Sequence, residues 1–293
     1  MTRRIRGSAF VRYLPPVLLP VLLPVLLVAL VGCSAAASGP AVITDSTGAG
    51  TGGTGTGTTS VSPASANPLS GTIVVDAAAS LTGSFTAIAS AFQAAHPEVT
   101  VTLNFGSSAA LASAIVAGAP VDVFAAASAA TMATVTSAGL TATPARVFAR
   151  NSLEIAVPPG NPAKIVGIHD FGDSAKKIAL CAPQVPCGAA AATAFAAAGV
   201  IAAPDTLEQD VKAALTKVEL GEVDAAMVYR TDVIAAGTKV VGIAFAEAAK
   251  AVTSYPIAPM VKRPNAAVAA AFAEFVLTQK AQTVLAKAGF GAP

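Results

Sequence analysis

Hydrophobic positions fall into three regimes along the chain. Residues 13–31 are almost unbroken apolar, interrupted by Pro15, Pro16, Pro20 and Pro24. Residues 34–69 are mostly alternating Ala, Ser, Gly, Thr and Pro, with Asp45 as the sole charge. From Ser70 onward, apolar residues recur in short blocks of two periods. Residues 72–75 form a β-branched, strand-like run, and Ser80 stands where it can cap a segment in which Leu81, Phe85, Ile88 and Phe92 repeat at helical spacing. Pro97 closes that unit. Residues 99–105 read as a second strand, and Gly106-Ser107-Ser108 leads into a helix carrying Leu111 and Ile115 that Gly118-Ala119-Pro120 stops. Residues 121–124 make a third strand. This β-α-β-α-β order with short connections predicts a parallel α/β layout.

The pattern then repeats. Residues 153–157 are strand-like and end at Pro158-Pro159-Gly160, and 177–180 are strand-like again. A helix over 189–198 follows the run CAPQVPCG, 210–218 are helical, 225–229 and 240–245 are strands, and 266–277 and 279–288 are apolar-periodic helices. One α/β region precedes a second, and more chain follows it. That order suits two lobes, the second inserted into the first: 70–150 and 244–293 for one, 151–243 for the other. Periodicity alone does not separate this from one continuous sheet.

The N-terminal regimes change the meaning of the composition. A chain that is 54% hydrophobic and 12% charged, with mean hydropathy +0.67, resembles a membrane protein on average. Yet beyond Val31 no run reaches the ~18–20 apolar residues a bilayer span needs, and alanine supplies much of the excess. Arg3, Arg4 and Arg6 ahead of the apolar run make residues 1–32 a secretory signal. Leu30-Val31-Gly32-Cys33 resembles the bacterial lipobox, which makes Cys33 the lipidated N-terminus of the mature chain; a plain signal or an uncleaved anchor are the alternatives. Residues 33–69 then read as a flexible tether holding the body at the extracytoplasmic face of the cell membrane. Of the 18 Lys and Arg, four (Arg3, Arg4, Arg6 and Arg12) precede the apolar run, leaving 14 against 16 acidic residues and no basic stripe for nucleic acid.

Catalytic chemistry is sparse. Only His96 and His169 are present, both in turn-like surroundings that mark surface residues, and there is no HExxH, GxSxG, CxxC or Walker A. The spacing GxGxxG at Gly48 and Gly50 lies in the Gly/Thr tether with no strand before it. An enzyme, a cofactor or a protein-ligated metal finds no support, and binding is the better reading. Cys181 and Cys187 favour a disulfide in an oxidising compartment, over metal ligation without a nearby histidine or packed free thiols. What the sequence offers instead is hydroxyls and backbone N–H groups at strand-to-helix junctions: Ser80, Ser107-Ser108, Gly188 and the Asp210-Val211 helix start. Helix N-termini present unpaired N–H groups and partial positive charge, so several in one cleft bind an anion without Lys or Arg. A donor-only site suits an oxyanion that carries no proton.

In the segments VVDAAASL (74–81), NFGSSAAL (104–111), GAPVDVF (118–124), FARNSLEIAVP (148–158), VPCG (185–188), GEVDAAMVYRTD (221–232), YPIA (255–258) and AGFG (288–291), the chain resembles the periplasmic molybdate-binding proteins, the solute receptors of molybdate ABC importers. The segments occur in family order over about 220 residues. The resemblance implies a two-lobed periplasmic-binding-protein fold of type II, each lobe a mainly parallel sheet flanked by helices with a cleft between. It also implies a ligand shell of Ser80, Ser108, Cys187 through its N–H, Val211 through its N–H, and the Tyr229 hydroxyl. The bound ligand is then molybdate or tungstate, the partners an ABC permease and its ATPase, and the receptor a monomer. The chain departs from the pattern in three places: Ala109 stands where Gly or Ser is frequent, Ala125-Ala126-Ala127-Ser128 follows GAPVDVF where many relatives have a Ser-Ala pair, and Cys187 stands where Ala or Val is common. A receptor for sulfate or another tetrahedral oxyanion is the first rival. An extracytoplasmic enzyme on the same scaffold and a lipid-anchored structural protein follow.

Overall fold

A computed structural model describes residues 68–293. The signal, Cys33 and nearly all of the tether lie outside the described residues. Within them no helix is long and apolar enough to cross a membrane.

Among the described residues, ten strands form two five-stranded sheets. The first contains β1 (Gly71–Ala78), β2 (Val99–Gly106), β3 (Val123–Ala125), β4 (Arg146–Asn151) and β10 (Thr253–Pro259), in the order β2-β1-β3-β10-β4. The second contains β5 (Leu153–Val157), β6 (Ile178–Cys181), β7 (Thr206–Glu208), β8 (Ala225–Tyr229) and β9 (Val241–Ile243), in the order β7-β6-β8-β5-β9. The orders correspond strand for strand. Each sheet is mixed in the same way: four strands run one way, and the strand in fourth place, β10 or β5, pairs antiparallel with both neighbours. The chain passes from β4 to β5 through Ser152 and returns from β9 to β10 after a one-turn 3-10 helix, Ala246–Lys250.

Eight α-helices among the described residues cover the sheets: α1 (Thr82–Ala95), α2 (Ser108–Val116), α3 (Ala129–Ser137), α4 (Pro186–Ala198), α5 (Val211–Glu219), α6 (Arg230–Ala236), α7 (Ala266–Val276) and α8 (Gln279–Lys287). The apolar face read from Phe85, Ile88 and Phe92 is buried, and Phe85 and Phe92 pack edge-on or tilted against Phe148 and Phe272. Large rings carry that core, because they remove the most apolar area per residue. The second core is built largely from Ala, Val and Ile, and Ala79 of the first unit packs into it. Small side chains let backbones approach closely where the two units meet.

Three local expectations need correction. The third strand is Val123–Ala125 rather than 121–124, and β9 is only Val241–Ile243 rather than 240–245. Helix α4 starts at Pro186, not at residue 189. Proline is preorganised for the first helical position and gives up an N–H that has no partner there. Cys187 and Gly188 therefore belong to the first turn.

Candidate functional site

The carboxyl ends of β1, β2, β6, β7 and β8 face one cavity. Its lining comprises Ala78, Ala79, Ser80, Gly106, Ser107, Ser108 and Ala127 from the first unit, with Val185, Pro186, Cys187, Asp210, Val211 and Tyr229 from the second. About 210 Å³ of space lies within this lining, open solvent at the mouth included. All five residues singled out above, Ser80, Ser108, Cys187, Val211 and Tyr229, line it. A crevice outside the carboxyl ends of parallel strands is where open α/β sheets place ligands.

The donors arise from helix starts. In α2, Ser107 is the N-cap and makes no side-chain cap bond, so first-turn N–H groups including that of Ser108 have no helical partner. The Ser108 hydroxyl accepts the Ala127 N–H at 3.0 Å, which fixes its oxygen and leaves its proton to donate. In α4, Pro186 has no N–H, and the first one belongs to Cys187. The Cys181–Cys187 disulfide, with Cα atoms 5.8 Å apart, ties that turn to the end of β6. Gly188 is required beside it: a Cβ there would collide with the Ala182 carbonyl and lie 2.6 Å from the Cys181 carbonyl oxygen. In α5, the Asp210 carboxylate caps the Lys212 and Ala213 N–H groups at 2.8 and 3.0 Å. The Val211 N–H, one residue earlier, is left over.

Ser80 does not cap α1, contrary to the expectation. A 3-10 turn, Ala79–Leu81, precedes the helix, Leu81 takes the N-cap position, and no side chain caps it. The Ser80 hydroxyl instead lies 2.9 Å from the Tyr255 hydroxyl. Tyr229 is 1% exposed, and its hydroxyl is buried beside the Thr253 and Tyr255 side chains without a well-formed hydrogen bond to any described residue. An orphaned buried hydroxyl costs about 1–3 kcal/mol unless something completes it. Burial, reinforced by the neighbouring Tyr255, pushes the Tyr229 phenol well above its ordinary range. It therefore stays protonated and can donate.

The electrostatics are less neutral than the donor set. No Lys or Arg lines the cavity, but Asp210 does. Its carboxylate is occupied as a cap. Behind it, the fully buried Asp232 accepts the Tyr229 N–H at 3.2 Å and has the Lys212 ammonium 3.2 Å away. Desolvation raises the Asp232 carboxyl above the usual aspartate range, with Lys212 opposing. Neither histidine lines the cavity: His169 is exposed, and His96 packs tilted against Phe92 with ring centroids 4.7 Å apart. No group of three or more metal-ligating side chains occurs among the described residues. Polar residues that sequence reading assigned no role, Asn151, Thr231 and Tyr255, are buried behind Ser80. Tyr255 lies in the quoted YPIA segment, but nothing in the pattern marked its hydroxyl.

The profile of the bacterial extracellular solute-binding proteins matches residues 73–291. Molybdate-binding protein ModA of Mycobacterium tuberculosis is 38% identical over 230 residues, covering 78% of this chain and 88% of that protein. Among solved structures, the periplasmic molybdate-binding protein of Azotobacter vinelandii superposes with a TM-score of 0.64 at 20% identity, covering 75% of this chain and 99% of that one. The sulfate-binding protein SubI of Mycobacterium tuberculosis gives 0.65 at 19% identity, covering 75% and 86%. The two structural likenesses establish the shared two-lobed periplasmic-binding-protein fold.

Proposed function

This chain belongs to the bacterial extracellular solute-binding protein family, and from that premise we propose that it captures molybdate outside the cytoplasm and delivers it to the permease and ATPase of an ABC importer. The observation that carries this reading is the convergence of Ser80, Ser108, Cys187, Val211 and Tyr229 on one cavity whose lining holds no Lys or Arg. Seven donors are available from them: three hydroxyls and the N–H groups of Ser80, Ser108, Cys187 and Val211. They come from both sheets, so an oxyanion held by all of them holds the two lobes together. The cycle is capture, closure and release, with no bond made or broken in the solute.

Donors alone distinguish a fully ionised tetrahedral oxyanion from one that keeps a proton, because the proton would need an acceptor and would displace a donor. Size then separates molybdate from the smaller sulfate, which would leave some donors stretched. Tungstate, nearly the size of molybdate, is expected to bind as well. Identity of 38% to a molybdate-binding protein, against a likeness in fold alone to a sulfate-binding one, favours molybdate. In this reading the protein is a monomer attached to the membrane through lipid on Cys33, the tether of residues 34–69 giving it reach.

Isothermal titration of the purified, ligand-stripped protein with molybdate, tungstate, sulfate and phosphate tests this. Molybdate and tungstate should bind with similar affinity, each at least ~10-fold tighter than sulfate, as loss of one well-formed charged hydrogen bond would give. A clear preference for sulfate would replace the reading with its first rival.

A further inference from the structure

Behind the cavity lies a buried chain of hydrogen bonds that the ligand shell itself does not include. The Asn151 side chain sits at the end of β4, where the chain leaves the first sheet. Its Oδ1 accepts the Ser152 N–H at 3.0 Å, which turns its amide NH₂ the other way. That NH₂ donates to the Thr231 hydroxyl at 2.8 Å and to the Tyr255 hydroxyl at 3.2 Å. Tyr255 in turn stands 2.9 Å from the Ser80 hydroxyl. Ser80, Asn151, Thr231 and Tyr255 are all at least nine-tenths buried, so water does not compete for these bonds.

At 2.9 Å the geometry of the last bond lets either hydroxyl donate. With Tyr255 as the donor, its oxygen accepts from Asn151 and its one proton goes to the Ser80 oxygen. Desolvation, opposed by Ser80 and Asn151, raises the Tyr255 phenol above its ordinary range, so that proton is retained. Ser80 then receives a hydrogen bond from behind and has its own proton free for the cavity that it lines. The same hydroxyl without Tyr255 could rotate and present a lone pair instead.

We infer that Tyr255, oriented by Asn151, is a positioning residue that locks Ser80 as a donor and thereby helps to exclude oxyanions that carry a proton. Tyr255 is absent from the cavity lining and acts through Ser80. The inference rests on the oxyanion-receptor reading given above.

Sulfate and hydrogen phosphate test it, because at mildly alkaline pH they are similar-sized dianions that differ by one proton. Kd values for both, and for molybdate, are measured on the full folded body for wild type, Tyr255→Phe, Ser80→Ala and the double variant. In Tyr255→Phe the ring packing is kept. The Kd for sulfate and for molybdate should rise about 5- to 10-fold, the loss of order in one donor, while that for hydrogen phosphate stays level or falls. In the Ser80→Ala background, Tyr255→Phe should change nothing further, since coupled residues are not additive. Should Tyr255→Phe fail to fold, Asn151→Asp serves: an acceptor-only carboxylate turns the Tyr255 proton away from Ser80, and the sulfate-to-phosphate ratio should narrow in the same way. Equal shifts for all three anions, or additive effects in the double variant, would overturn the inference. If wild type binds none of the anions, the receptor reading itself has failed.

Discussion

Which first-turn N–H groups remain free at a helix start is decided by the side chains beside them. At α5, Asp210 takes the second and third N–H and leaves that of Val211; at α4, Pro186 contributes none and the Cys187 N–H comes first. The site thus selects single donors out of helix termini that would otherwise point several ways. Val211→Pro isolates one of them. Proline fits the first helical position, and Asp210 before it already has the extended backbone (φ −154°, ψ 171°) that a following proline demands. The substitution should remove the N–H alone, raising the Kd for molybdate at least ~10-fold, about 1.4 kcal/mol or more, with little loss of thermal stability. Unchanged affinity in a titration would remove Val211 from the shell. Sequence patterns could reach this residue through the Asp-Val helix start. They could not reach Asn151 or Tyr255, since a lone polar residue in an apolar strand reads the same whether it faces a partner or a solvent channel.

Among the elements, those with strong apolar periodicity were legible and the short or polar ones were not. Helix α1 announces itself through Leu81, Phe85, Ile88 and Phe92. Helix α3, built from AATMATVTS, and the seven-residue α6 carry too weak a stripe to be seen. Strand β10 contains Pro256 and Pro259, which ordinarily argue against a central strand. It lies between β3 and β4 all the same, and the register shift between Tyr255 and Pro256 accommodates the N–H that Pro256 lacks. The disulfide joins β6 to α4, and replacing Cys181 and Cys187 with alanine should cost about 2 kcal/mol by the loop-closure estimate for so short a loop. Because it also fixes the Cys187 N–H, molybdate should bind more weakly. A variant with unchanged melting temperature and unchanged affinity would contradict both roles.

Helices α5 and α6 are joined by Lys212 and Asp232. Lys212→Met leaves the buried carboxylate without its counter-charge, at a cost of about 3 kcal/mol near neutral pH. The Asp232 carboxyl is already raised in the folded protein, and losing Lys212 raises it further. The folded state then binds the extra proton at a pH where the unfolded state does not. Stability of the variant relative to wild type should therefore recover as pH falls from neutral toward the unfolded aspartate value, about 3.9, and be poorest at neutral pH and above. Melting curves across that range give the answer. A deficit that is constant with pH, or that grows on acidification, would show that packing rather than charge is lost.

At the scale of the whole molecule, the two sheets repeat one strand order and each turns one strand against the rest, beside the chain crossings. That arrangement brings the strand ends of both units to the same cavity. The alternation of strands and helices along 70–293 was visible in the sequence. The pairing of strands was not, since it depends on contacts such as β3 with β10 that are more than a hundred residues apart. In the proposed reading the low charge of the chain acquires a physical meaning: donors without cations would hold a dianion while discriminating by proton and by size. Diffraction from crystals grown with molybdate, recorded at an energy where molybdenum scatters anomalously, locates the metal without ambiguity. One strong anomalous peak is expected in the cavity, with oxyanion oxygens within hydrogen-bond distance of the Ser80, Ser108 and Tyr229 hydroxyls and of the Cys187 and Val211 N–H groups. A peak elsewhere, or a cavity left without molybdenum at saturating concentration, would contradict the assignment.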